Sequence, residues 1–294
     1  DRLDMTDIAS TNRSDSFHAD NATVNVDVYG DINVRETVLM ENLSVVSFTS
    51  SNGELNNTDY WYTNQDDTHD MQMSQWRVVN SVMNLNIHSN IRIDHLYVER
   101  SRASVSTDDG EMASKTWYFY GSNVTACTAK TLSVKFDDGG ENPMPAVQII
   151  GCHERVYFVD AEKLQEGNTF PYTSAGVIIK VGYTNNNDQF ERNDPSTYVQ
   201  LPSLEFITGT SNTCYDNSLD LLITASTVTV DVLGDIRLLE TAVNKEVWKA
   251  NDTINDKDLY ISQNAGEITE FKKLHKALPA ELDQLYRAYG TGMN

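Results

Sequence analysis

Apolar and polar positions alternate strictly through residues 23–37, TVNVDVYGDINVRET. Val24, Val26 and Val28 fall on one side of an extended chain, while Asn25 and Asp27 fall on the other. That period of two is the mark of a strand with one buried face. The stretch returns at residues 227–241 as TVTVDVLGDIRLLET, identical at ten of fifteen positions. A looser echo, MNLNIHSNIRI, occupies residues 83–93. In each copy a small residue and an acid or amide interrupt the alternation: Gly30-Asp31, Gly234-Asp235 and Ser89-Asn90. Such pairs supply the positive φ of a tight hairpin or bulge. The unit reads as strand, turn, strand, which predicts hairpins at 23–38 and 227–242.

The same rhythm predicts further strands at 43–48, 116–120, 131–136, 146–151, 155–159, 177–183, 197–207 and 219–225, with turn-forming residues between them. One segment changes period. Met73, Trp76, Val79 and Met83 are three or four residues apart, which predicts a helical turn. Short strands at near-regular spacing predict an all-β fold of antiparallel β-sandwich or jelly-roll type. One barrel and two barrels both stay open. The copies at 83 and 228 are separated by about the length of one jelly roll. The stronger pair, at 23 and 227, leaves too little chain after it for a second full barrel. Residues 1–22 read as an extended arm, 23–264 as the β-rich body, and 265–294 as a short helical segment. In that last segment Ile268, Phe271, Leu274 and Leu278, then Leu282, Leu285 and Tyr289, recur at helical spacing.

Charge narrows the partners. The net charge is −21, with 43 acidic against 22 basic residues. A surface this acidic repels phosphate backbones and anionic lipid, so neither nucleic acid nor a membrane surface is expected as a partner. No apolar run is long enough for a membrane span. The chain opens on Asp1 rather than Met, which fits either removal of a preceding segment or a start inside a longer chain. Three cysteines, Cys127, Cys152 and Cys214, define no disulfide framework. Reduced thiols and a Cys127–Cys152 bridge both stay open.

Candidate chemistry is sparse. None of the common catalytic or phosphate-binding motifs occurs, and the six histidines fall in no ligand spacing. Cys152-His153-Glu154 places a thiol beside an imidazole, but neighbours on a strand face opposite ways. Acidic turns offer oxygen ligands for a structural calcium ion: Asp108, Asp109 and Glu111 in one, Asp137, Asp138 and Glu141 in another, with Asp66, Asp67, His69 and Asp70 as a third loop. No other cofactor is expected. The aromatic runs Tyr60-Trp61-Tyr62 and Trp117-Tyr118-Phe119-Tyr120 could be core strands, or ledges for a sugar or a subunit interface. The expected function is therefore a non-enzymatic structural subunit that self-assembles: a virus or phage coat or tail protein, located in the virion and partnered by copies of itself and other virion or surface proteins. The alternative is a secreted or cell-surface adhesin that binds glycans.

Overall fold

A computed structural model describes residues 3–5, 15–57, 60–61, 71–72, 74–136, 146–151, 156–159, 169–172, 175–186, 189–208, 221–224, 226–238, 241–244 and 259–263. Three eight-stranded sheets carry the fold, and every pairing within them is parallel. Sheet 1 comprises Leu3–Met5, Ile32–Val34, Leu55–Asn57, Ile91–Ile93, Met112–Ser114, Leu132–Phe136, Leu204–Thr208 and Ile236–Leu238. Sheet 2 comprises Asp15–Asp20, Thr37–Glu41, Gln75–Val79, His95–Glu99, Thr116–Tyr120, Val147–Ile150, Leu221–Thr224 and Thr241–Asn244. Sheet 3 comprises Thr23–Val28, Val45–Ser50, Val82–Ile87, Arg102–Thr107, Asn123–Thr128, Ala175–Val181, Ser226–Val232 and Leu259–Gln263.

The chain visits the sheets in the order 1, 2, 3 and then repeats, so it winds as a β-solenoid of eight rungs. Thr23 lies beside Val45, Val82 beside Arg102, and Arg102 beside Asn123, so an uninterrupted coil takes 20 to 22 residues. Parallel neighbours need a long connection, usually a helix. Here the connection is the pair of strands in the other two sheets. At about 4.8 Å per rung, eight rungs rise roughly 34 Å.

This architecture corrects the expected antiparallel sandwich or jelly roll, in one barrel or two. Ile32–Val34 does not fold back on Thr23–Val28. It pairs with Leu3–Met5 on one side and Leu55–Asn57 on the other. The segment 29–31 is thus a corner from sheet 3 to sheet 1, and the stretch at 23–37 recurs because residues 83–93 and 227–241 hold the same place in later coils. Gly30 and Gly234 do not adopt positive φ. Glycine at this corner answers a close approach between rungs: a Cβ on Gly53 would lie 2.2 Å from the Gly30 carbonyl carbon, and one on Gly110 would lie 2.0 Å from Ser89 O.

The helical turn expected around 73–83 is replaced by two strands, Gln75–Val79 and Val82–Ile87. Trp76 and Val78 alternate into the core, whereas Arg77 faces out. Within the expected arm, Leu3–Met5 and Asp15–Asp20 lie in sheets 1 and 2. The expected helices at 265–294 lie outside the described residues, and no helix among the described residues is long and apolar enough to cross a membrane.

Inward residues stack on their counterparts in the next rung. One row in sheet 3 runs Val46, Met83, Ala103, Val124, Val177, Val228. In sheet 2, Val38, Trp76, Leu96, Trp117, Val147 and Leu221 form another. All of these are buried. Aromatic rings fill the width of the core, with Phe48 edge-on to Trp76 at 5.2 Å and Trp117 to Phe206 at 6.1 Å.

The corner from sheet 2 to sheet 3 is polar and repeats by a different rule. Asn21, Leu43, Asn80, Arg100 and Gly121 take positive φ there, and Ala22, Ser44, Ser81, Ser101 and Ser122 follow them. The four serines are buried and form a ladder. The N–H groups of Ala22, Ser44, Ser81 and Ser101 donate to Oγ of Ser44, Ser81, Ser101 and Ser122 at 3.1, 3.2, 2.9 and 3.2 Å. Each hydroxyl in turn donates to a carbonyl of its own coil, as Ser101 does to Glu99 O at 2.7 Å. The turn's buried backbone groups are thereby satisfied from one rung to the next.

Ser101→Ala removes an acceptor from the buried Ser81 N–H and should cost about 1–3 kcal/mol. Ser104→Ala, on the outer face of the same coil, should stay within about 0.5 kcal/mol of wild type. Urea midpoints compare the two, and equal midpoints would remove the ladder from the account of stability.

Candidate functional site: an aromatic row on sheet 2

Because side chains alternate, the strands that send Trp76, Leu96, Trp117 and Val147 inward send the next residues outward. Register then aligns Leu39, Arg77, Tyr97, Tyr118 and Gln148 in a single row across successive rungs. Arg77 is exposed, and the other four are half-buried. The Tyr97 and Tyr118 rings lie 6.1 Å apart, tilted by 49°. His95 stacks beside Tyr97 at 6.4 Å and shares a 2.8 Å hydrogen bond with the Thr116 hydroxyl. Below the row, the Arg100 guanidinium sits 6.0 Å from the centre of the Tyr120 ring and 4.0 Å from the Glu99 carboxylate.

The run 116–120 is therefore neither wholly core nor wholly ledge. Trp117 and Phe119 are buried, while Tyr118 and Tyr120 lie on the outer face. Burial, reinforced by the nearby Glu99 carboxylate, pushes the Tyr118 phenol up, which keeps it a neutral hydrogen-bonding group. Sequence reasoning missed Arg77, Tyr97 and Gln148 as its neighbours. The available signal was the coil length: 77, 97 and 118 are separated by one rung each.

A second polar cluster lies on sheet 3, where the outward row runs Cys127, Lys180, Asp231. After Gly182, which takes φ +87 and whose Cβ position would fall 2.5 Å from Leu233 Cβ, an antiparallel hairpin of Tyr183–Asn186 and Gln189–Arg192 leaves the coil. Tyr183 OH donates to the Asp231 carboxylate, Arg192 Nη2 pairs with the same carboxylate, and Arg192 Nε donates to Tyr183 OH at 2.9 Å. The Lys180 ammonium lies 5.1 Å from the Tyr183 ring and 5.3 Å from the Phe190 ring. These contacts pin the hairpin to the sheet.

Beneath them Cys127 is a free, buried thiol whose Sγ faces the Tyr183 carbonyl at 3.9 Å. Burial pushes its pKa from 9.0 up to about 12, with Lys180 acting in the opposite direction. A thiol held neutral in this way is a poor nucleophile.

The calcium candidates are placed separately. Asp108, Asp109 and Glu111 sit at the corner from sheet 3 to sheet 1, and each faces its own basic side chain: His88 at 4.0 Å, Lys130 at 3.2 Å and Arg92 at 4.0 Å. Desolvation raises the Asp108 pKa, and His88 pulls it back. No group of three or more His, Cys, Asp or Glu positioned for a metal ion occurs among the described residues. Asp137, Asp138, Glu141, the loop 66–70 and Cys152-His153-Glu154 lie outside the described residues. Comparison of the chain with family models, curated proteins and solved structures finds no match.

The Cys127 thiol gives a direct check of the hairpin. In a Cys152→Ser, Cys214→Ser double variant, Ellman's reagent at pH 8 should leave the native protein unmodified and react in urea. Adding Asp231→Asn should speed the native reaction. Since the fold raises this pKa, its contribution to stability is fully present below pH 9 and is lost as pH rises towards 12, where only the unfolded chain has ionised. Rapid modification of the native thiol would contradict the burial.

Proposed function

We propose that the chain is a non-enzymatic structural subunit that self-assembles, serving as a tail, coat or decoration component of a virus or phage particle, with copies of itself and other surface proteins as partners. The stacked parallel rungs carry this reading. The strands Leu3–Met5, Asp15–Asp20 and Thr23–Val28 form the first rung, and each pairs on one side only among the described residues. Val24, Val26 and Val28 are only half-buried there, whereas Val46 and Phe48, one rung on, are inaccessible. A second copy can supply the rung that these backbone groups and half-buried valines would pair with. A stack of rungs also suits a rigid spacer, since each coil rests only on its neighbours.

A glycan-binding adhesin is the second reading, favoured by the tyrosine row of sheet 2. Size-exclusion chromatography with light scattering tests the first. Symmetric trimers or larger assemblies are expected, and Val26→Asp should shift them to smaller species while the β-sheet circular dichroism is retained. A strictly monomeric wild-type protein would overturn the assembly reading.

A further inference from the structure

We propose that the outer face of sheet 2 binds a neutral, extended oligosaccharide, laid across the rungs so that Tyr97 and Tyr118 stack on successive sugar rings while Arg77 and Gln148 hydrogen-bond to hydroxyls on either side of the tyrosine pair. The inference is independent of assembly through the first rung.

Four observations favour this occupant. The tyrosine rings are half-buried, 6.1 Å apart and belong to adjacent rungs, so they offer a two-ring platform at a spacing comparable to a sugar unit. The electron-rich ring face attracts the slightly positive C–H groups on the flat side of a pyranose. Arg77 is exposed, in register beside Tyr97, with no ion-pair partner among the described residues. It offers up to five N–H donors, and the Gln148 amide at the other end of the row supplies both donor and acceptor. Ring faces flanked by hydrogen-bond donors and an amide acceptor suit an uncharged polyol, whose hydroxyls both donate and accept.

Charge then selects among glycans. A polyanionic chain would have to approach a protein of net charge −21. Glu41 and Glu99 lie on the same outer face, and their two charges offset those of Arg77 and Arg100, with Glu99 4.0 Å from Arg100. Repulsion therefore works against uronate or sialate polymers and leaves neutral ones.

Accessibility comes from the coil connections. Around the two tyrosine rungs the corners are minimal: Asp94 alone joins Ile91–Ile93 to His95–Glu99, and Lys115 alone joins Met112–Ser114 to Thr116–Tyr120. Longer connections flank this block: they enter sheet 2 before Gln75–Val79 and before Val147–Ile150, and one leaves it after Val147–Ile150. The two tyrosine rungs themselves carry no insertion.

Affinity electrophoresis of the full chain in native gels tests the proposal, using galactomannan, xyloglucan and dextran as neutral polymers and polygalacturonate as the acidic one. Retardation is expected in at least one neutral gel and not in polygalacturonate. Tyr118→Ala should weaken the neutral interaction by about tenfold or more. Arg77→Ala, an exposed change that leaves the core untouched, should also weaken it and serves if Tyr118→Ala does not fold. Val26→Asp should bind like wild type whether or not the chain assembles. Passage through all three neutral gels without retardation would overturn the proposal. So would retention unchanged in the Tyr118→Ala and Arg77→Ala variants, or a preference for polygalacturonate.

Discussion

Everything in this molecule depends on each coil lying in register on the one before it. Parallel pairing of Val45–Ser50 with both Thr23–Val28 and Val82–Ile87 fixes the position of every side chain in sheet 3. A slip of one residue would turn Val46 and Phe48 outward and Ser47 and Thr49 inward, exchanging the core for the surface. Two devices hold the register. Apolar residues fill the interior as continuous rows, and the serine ladder from Ser44 to Ser122 ties four successive coils together at one corner. The glycines at another corner allow the backbones to come close, with Gly53 resting on Gly30.

Stacking also explains why insertions are tolerated. Residues 45 and 82 are paired neighbours although the connection between them carries an extra two-stranded hairpin, Tyr60–Trp61 with Met71–Gln72. The hairpins Val156–Val159 with Thr169–Tyr172, and Tyr183–Asn186 with Gln189–Arg192, leave later coils in the same manner. Each departs and returns at a corner, and parallel strand pairing resumes in register beyond it. The Tyr183–Arg192–Asp231 cluster fastens one of these insertions to the outer face. A long lateral surface with local decorations is the result, and the Tyr97 and Tyr118 rungs lie between coils that carry them.

The alternation of Val24, Val26 and Val28 and the repeated stretch at 227–241 were legible, because a half-buried strand imposes period two on its own residues. So were the strand at 116–120 and several others. Pairing direction was not legible. A Gly-Asp step joining two alternating segments has the same appearance at a hairpin and at a solenoid corner, and no local property separates the two. Insertions hid the coil length by placing the related stretches 204 residues apart. The helical spacing of Met73, Trp76, Val79 and Met83 misled because it runs across a strand, a corner and another strand: Trp76 and Met83 are buried in different sheets, while Val79 lies on the outward side of its strand.

The sequence by itself determined that this chain is all-β, strongly acidic and devoid of recognised catalytic motifs, since composition and local periodicity carry those properties. Only the tertiary structure decided that the strands run parallel, that the serines form one ladder, and that Arg77, Tyr97, Tyr118 and Gln148 share a row. Those relations join residues a full coil apart or more. They arise from which rung rests on which, and that choice is made by the summed burial and hydrogen bonding of all eight rungs rather than by any one of them.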